Sequence, residues 1–405
     1  MSSKSKIYLI HLVLFIICLI TTTLAGAEWM NGNLVFAHKS GFSLQNDWLT
    51  WEKFTHAFQF SIPFLAFLTV HEFGHYFTAQ WHKVKVTLPF YIPLWLGVTF
   101  TIGTMGAFIA IRSQLKSRLQ FFDIGIAGPL AGFVVAVCIL WYGYTHLPEP
   151  EYVFQIHPEY KTYFPEEYQK YGNDYAKYAY VRRLPDNEAT RKDGVAGVEV
   201  MGEGIGKNLL MLFFENYIVS AKDRYKIPHS NELMHYPFLF AGFLGLLFTA
   251  LNLLPIGQLD GGHILYGLIG FRRYNRVSPI LFVAFVFYAG LGLIRPEESS
   301  EVLFYAIPVY IIFLYYIFYK MIENAQNTLL LSMSVFTAQF VAVFFLPWLD
   351  GYTGWLLFTF LIGRFLGVYH PPAVSEQPLN LGRRILGWAT LLIFVLCFCP
   401  RPIAG

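Results

Sequence analysis

Nine long apolar runs, separated by polar or glycine- and proline-bearing segments, constrain this chain more than any single motif does. They lie at about residues 7–26, 56–80, 122–145, 236–270, 277–294, 302–319, 328–346, 352–368 and 385–400. Roughly 20 apolar residues cross the hydrocarbon of a bilayer as a helix, and lipid leaves a spanning backbone few other ways to satisfy its polar groups. Only 14% of the 405 residues are charged and 55% are hydrophobic, against about 25% charged in ordinary soluble domains. The expected fold class is therefore an all-α polytopic membrane protein with about nine transmembrane helices. A formal net charge of +3 without a basic block excludes a nucleic-acid surface, and the lysines and arginines read as topology markers instead.

Lys4 and Lys6 precede the first run and hold the amino terminus in the cytoplasm. Counting spans from there, Lys83, Lys85, Arg112, Lys116 and Arg118, then Arg272, Arg273 and Arg276, then Lys320, Arg364, Arg383 and Arg384 all fall on the cytoplasmic side. Thr23-Leu24-Ala25-Gly26-Ala27 also resembles a signal-peptide cleavage site; an uncleaved first span is the expected form. Cys18, Cys138, Cys397 and Cys399 sit in apolar runs without zinc-finger spacing and read as buried thiols.

The second run contains His71-Glu72-Phe73-Gly74-His75. Two imidazoles at i and i+4 lie about one turn apart on one side of a helix and suit two corners of a tetrahedral zinc site. Glu72, beside the first, could take a proton from water at the metal. Three ionisable residues within five positions of a spanning run carry a transfer cost that points to function. Taken alone, the five-residue pattern is loose and recurs in unrelated helices.

A third ligand is offered by Asn252-Leu253-Leu254-Pro255-Ile256-Gly257-Gln258-Leu259-Asp260-Gly261-Gly262-His263. Pro255 and the glycines break a helix whose flanks are apolar, and broken backbone at membrane depth must face protein or a water-filled cavity. Asp260 then faces an interior polar site, and with the His pair it leaves one coordination position for water. Depth permits the meeting: His75 is eight residues, about 12 Å of helix, from Lys83, and Asp260 twelve residues, at most about 18 Å, from Arg272.

His71-Glu72-x-x-His75 together with Asn252-x-x-Pro255 and Leu259-Asp260-Gly261 resembles the site-2 protease family of intramembrane zinc metalloproteases. Gly103-Thr104-Met105-Gly106-Ala107-Phe108 and Ala127-Gly128-Pro129-Leu130-Ala131-Gly132 agree with it. The likeness covers roughly residues 54–147 and 236–272, a three-span core. It implies that His71, His75 and Asp260 bind Zn2+, that Glu72 is the general base, and that the substrate is a transmembrane protein cut within the lipid bilayer, as in regulated intramembrane proteolysis.

Around that core the chain divides into 1–53, a first span and outer loop; 54–147, the amino-terminal portion of the core; 148–235, an extracytoplasmic polar loop; 236–272, the remaining portion of the core; and 273–405, a carboxy-terminal bundle of about five helices. Residues 86–111, rich in Val, Thr, Phe and Ile but punctuated by Pro and Gly, are expected to form a hairpin dipping into the membrane; its strand edge either receives substrate by strand addition or is a plain interfacial loop. Asn252 is either an oxyanion donor in catalysis or interhelical glue. His263 either orients Asp260 or bonds backbone freed by the glycines, and His82 reads as a solvated helix-end residue. In the polar loop, residues 206–218 suit an interfacial helix.

A different class of function stays open at this point, a metal-using transporter or an inactive homologue serving as an assembly factor, though no internal repeat suggests transport. The lack of an Arg- and Ser-rich leader leans the localisation towards a bacterial cytoplasmic membrane, with the site near the cytoplasmic face.

Overall fold

The computed structural model of the chain describes residues 3–38, 41–43, 46–157 and 204–403. It is mainly helical, with two small antiparallel hairpins, Ala37–His38 (β1) with Gly41–Phe42 (β2) and Phe90–Leu94 (β3) with Gly103–Phe108 (β4). Four described helices are long and apolar enough to cross a membrane, within Lys6–Asn31, Arg118–Thr145, Ser300–Ile322 and Ala325–Phe345. Of the other expected runs, 236–270 is two helices around a break, and 352–368 is a short α-helix, Trp355–Leu361, continued as one wide π turn, Ile362–Leu366. Most of the polar loop, residues 158–203, lies outside the described residues.

Helices Ser3–Asn31 (α1), Trp51–His56 (α2), Phe58–Trp81 (α3) and Arg118–Thr145 (α4) form the first half. The long helix α3 stops by a Schellman motif: Lys83 turns to φ +57°, its amide bonds the Gln80 carbonyl at 2.9 Å, and the Val84 amide bonds that of Ala79 at 2.9 Å. Ser117 caps α4, its hydroxyl accepting from the Gln120 amide. Small residues let the backbones of α3 and α4 approach, since a side chain at Gly74 would meet the Ala127 carbonyl oxygen at 2.6 Å. Such close contact is how helices associate in lipid, where no hydrophobic force drives them together.

The β3–β4 hairpin leans on α1. Thr21 donates to the Gly103 carbonyl at 2.7 Å, the Trp29 indole to Thr101 at 2.8 Å, and His11 Nδ1 to Pro89 at 2.9 Å. The β ladder is irregular between Tyr91 and Pro93, where proline has no amide to offer.

After short helices Val153–Ile156 (α5) and Leu209–Phe213 (α6), the chain enters Pro237–Leu253 (α7), apolar and buried on most faces, as expected of a central helix. Stacked Phe60, Phe64 and Phe240 tie α7 to α3. Residues 206–218 contain α6, opened by an Asn208 cap and continued as a π turn over Phe214–Ile218.

The break at 254–259 has its own supports. Gly257 takes φ +62°; its amide bonds Ser278 Oγ at 3.0 Å and its carbonyl accepts from Tyr274 Oη at 2.6 Å. Both partners are fully buried on the helix that follows Asp260–Ile269 (α8), Phe271–Gly290 (α9). Backbone freed by Pro255 and Gly257 is thereby satisfied by protein, as an apolar medium demands. Helices Ser300–Ile322 (α10), Ala325–Phe345 (α11), Trp355–Leu361 (α12) and Leu381–Cys397 (α13) complete the bundle.

Two expectations are corrected here. Cys138 is exposed on α4, whose neighbouring Ala136, Ile139 and Leu140 take the buried face, whereas Cys18, Cys397 and Cys399 are buried. His82 is no solvated end residue: its Nε2 lies 2.8 Å from Asp123 Oδ2, and Arg383 holds the same carboxylate through two bonds of 2.7 and 2.9 Å. That cluster joins α3, α4 and α13 at one end of the bundle. Truncating Asp123 strands both partners, so Asp123→Ala should lower stability by about 2 kcal/mol, seen as a lower melting temperature in detergent. The Asp123→Ala/Arg383→Ala pair should cost clearly less than the summed single changes.

Candidate active site

The two distant motifs meet where α3, α4, α7 and α8 pack together. His71 and His75 project from α3 with their Nε2 atoms 3.1 Å apart. Asp260, the first residue of α8, brings Oδ2 to 3.3 Å from His75 Nε2 and 3.7 Å from His71 Nε2. His71 and His75 are buried and Asp260 is partly so, with 19% of its side chain exposed.

Three donors bound at about 2.0–2.2 Å to one tetrahedral ion lie roughly 3.3–3.5 Å from each other. The triangle observed here, with edges of 3.1, 3.3 and 3.7 Å, lies within a few tenths of an ångström of those dimensions, and its two nitrogens and one carboxylate oxygen are donors that suit zinc. His75 Nδ1 donates to the Ile124 carbonyl at 2.7 Å, which fixes the tautomer and leaves the Nε2 lone pair facing the cluster. His71 Nδ1 is buried without a hydrogen-bond partner among the described residues, and its ring is held by packing near Phe67. The residues present therefore fit a zinc ion.

Glu72 is buried next to the cluster, with the Ile109 backbone against its carboxyl group. Asn252, one residue from the end of α7, turns its amide nitrogen to 3.3 Å from His71 Nε2. All five residues line one cavity of about 520 Å³, whose far wall includes Met105 and Gly106 of β4. The arrangement offers a metal position, a carboxylate beside it, an amide donor, and an extended strand along the same space.

His263 does neither thing expected of it. Its Nδ1 lies 2.9 Å from His370 Nε2, so it joins α8 to the segment before α13. The glycine-rich backbone of the break is served instead by Tyr274 and Ser278.

Three glycines of α4 shape the site: Gly128 and Gly132 stand in the Ala127–Gly132 segment of the family likeness, and Gly125 escapes a reading of the sequence. A side chain on Gly128 would collide with the His75 ring, one on Gly132 would meet Phe67 and His71 at 2.9 and 3.1 Å, and one on Gly125 would meet His263 at 2.8 Å. These glycines clear one face of α4 for both motif helices. Their signal is Gly125-x-x-Gly128-x-x-x-Gly132, small residues at helical spacing in an apolar run.

Comparison with known proteins gives a consistent picture. The family model for peptidase family M50 matches residues 59–294. Probable zinc metalloprotease EGY1, chloroplastic, from Oryza sativa subsp. japonica is 30% identical over 51% of this chain and 27% of its own. Its Arabidopsis thaliana counterpart of the same description is 28% identical over 51% and 28%, and probable zinc metalloprotease EGY2, chloroplastic, from Oryza sativa subsp. indica is 24% identical over 58% and 37%. The chain thus spans about a quarter to a third of the length of these relatives. No solved structure matches it.

Gly128→Ala should remove one tightly bound zinc per chain, the one at the α3–α8 site, measured by plasma mass spectrometry on the purified protein. Gly382→Ala, where the nearest atom is 3.9 Å from the added methyl, should leave it unchanged.

Proposed function

This chain belongs to peptidase family M50, and on that premise we propose that it is a zinc endopeptidase hydrolysing a peptide bond in or near a transmembrane segment of another membrane protein. The observation that carries the reading is the convergence of His71 and His75 with Asp260, far apart in the chain, with Glu72 in the same cavity. His71, His75 and Asp260 are the proposed ligands. Held there, a zinc ion would supply Lewis acidity for activating water at neutral pH and polarising a carbonyl.

The chain's own residues do the rest. Glu72 takes the proton from the attacking water and passes it to the leaving amine, and its burial keeps competing solvent away. The Asn252 amide, on the same side of the cluster as His71, donates to the developing oxyanion. Strand β4 has β3 as its one strand partner among the described residues, and it runs along the cavity. An extended substrate segment adds there as a further strand, which uncovers peptide bonds that a transmembrane helix hides.

In the proposed topology all nine apolar runs cross the membrane, and water reaches the site from the cytoplasmic side, which the short distance from His75 to Lys83 favours. Regulated cleavage of a transmembrane substrate is the corresponding role. The bacterial cytoplasmic membrane rested on a missing leader, and relatives described as chloroplastic give it no support; the proposed address is an integral membrane without a named organelle.

Purified protein in detergent with a labelled membrane peptide tests the mechanism. Glu72→Gln should lower cleavage by about 10²–10⁴-fold while bound zinc is retained, and Asn252→Ala should lower kcat by about 10²-fold with little change in KM. Undiminished cleavage by Glu72→Gln would refute the base assignment.

A further inference from the structure

A second cluster of metal-binding side chains lies at the opposite end of the first helices. His71 is thirteen residues from Phe58 at the start of α3, about 20 Å of helix, and near that start the chain brings together His157, Glu232 and His235. We infer that these three residues form a further divalent-cation site, zinc by its donor set, which fastens the outer ends of α1, α5 and α7 together.

The geometry repeats that of the proposed catalytic triangle. His157 Nε2 and His235 Nε2 are 3.2 Å apart, and Glu232 Oε2 lies 3.5 Å from His235 Nε2 and 3.7 Å from His157 Nε2. The carboxylate distances are long for direct hydrogen bonds and near the edges of a tetrahedron around one zinc ion.

Local structure aims the donors. Glu232 and His235 are three apart at a 3-10 turn, Leu233–His235, where i and i+3 side chains eclipse. His235 Nδ1 donates to the Met30 carbonyl at the end of α1, at 3.0 Å, which leaves its Nε2 lone pair facing Glu232 and His157. This is the same backbone-carbonyl support that His75 receives from Ile124, and it is the usual second contact of a metal-bound imidazole. His157 follows α5 directly, its amide bonding the Val153 carbonyl.

Charge points the same way. Glu232 is fully buried beside the two rings, and buried carboxylates are tolerated where they are paired or coordinate a metal. The site joins the Met30 end of α1 and the residue following α5 to the turn leading into α7, the helix that carries Asn252. Its role is structural, and it does not depend on the catalytic reading.

The full chain, purified in detergent, equilibrated with zinc and desalted, should hold two zinc ions. His157→Ala and Glu232→Gln should each halve the metal to one, and His157→Cys, which restores a zinc ligand, should return it to two. His71→Ala/His75→Ala should independently remove the other ion. Cobalt loaded into that double variant should show the visible bands of tetrahedral coordination, and these should vanish when His157→Ala is added. A single zinc, lost with the α3 histidines and untouched by His157→Ala and Glu232→Gln, overturns the proposal. Metal lost on His157→Ala but kept in His71→Ala/His75→Ala would uphold it and sink the catalytic ligand set instead.

Discussion

The cost of gathering two imidazoles and two carboxylates in a largely buried pocket of an apolar helix bundle governs the structure around them. Such groups are tolerated in apolar surroundings when they face one another or a polar cavity, and the chain meets that requirement by interrupting an apolar run. Pro255 and Gly257 end α7 early, Tyr274 and Ser278 take up the freed backbone, and α8 restarts with Asp260 at its first turn, opposite the His pair. Without the break Asp260 would continue up an apolar helix. Without α9's two hydroxyls the break itself would leave buried backbone groups unsatisfied.

Packing around the cluster is set by absence of side chains as much as by their presence. Gly74 on α3 and Gly128 and Gly132 on α4 bring backbone against backbone and leave room for the two rings. The same principle governs the approach of α8 to α4 at Gly125. Positional accuracy at the site is therefore a property of helix spacing, and a methyl group in the wrong place acts on the imidazoles directly.

Much of this is legible in the residues. Histidines at i and i+4 share a face of a helix, and a proline-glycine break inside an apolar run needs a polar interior, so the meeting of His71, His75 and Asp260 follows from period and solvation. The hairpin over residues 90–108 is legible from β-branched residues interrupted by prolines and glycines. Less legible are contacts whose partners lie more than a hundred residues away without a periodic signature: Arg383 with Asp123, His370 with His263. Nothing in the residues around Trp81 separates a solvated His82 from one that bonds Asp123, because that choice is made by how α3 ends and where α13 begins.

The most direct measurement is an experimental structure of the zinc-loaded protein with anomalous data at the zinc edge. The account predicts a peak at the α3–α8 junction with His71 Nε2, His75 Nε2 and an Asp260 oxygen each at about 2.0–2.2 Å. An ion there bound without Asp260, or an Asp260 carboxylate on the order of 10 Å from both rings, would contradict it.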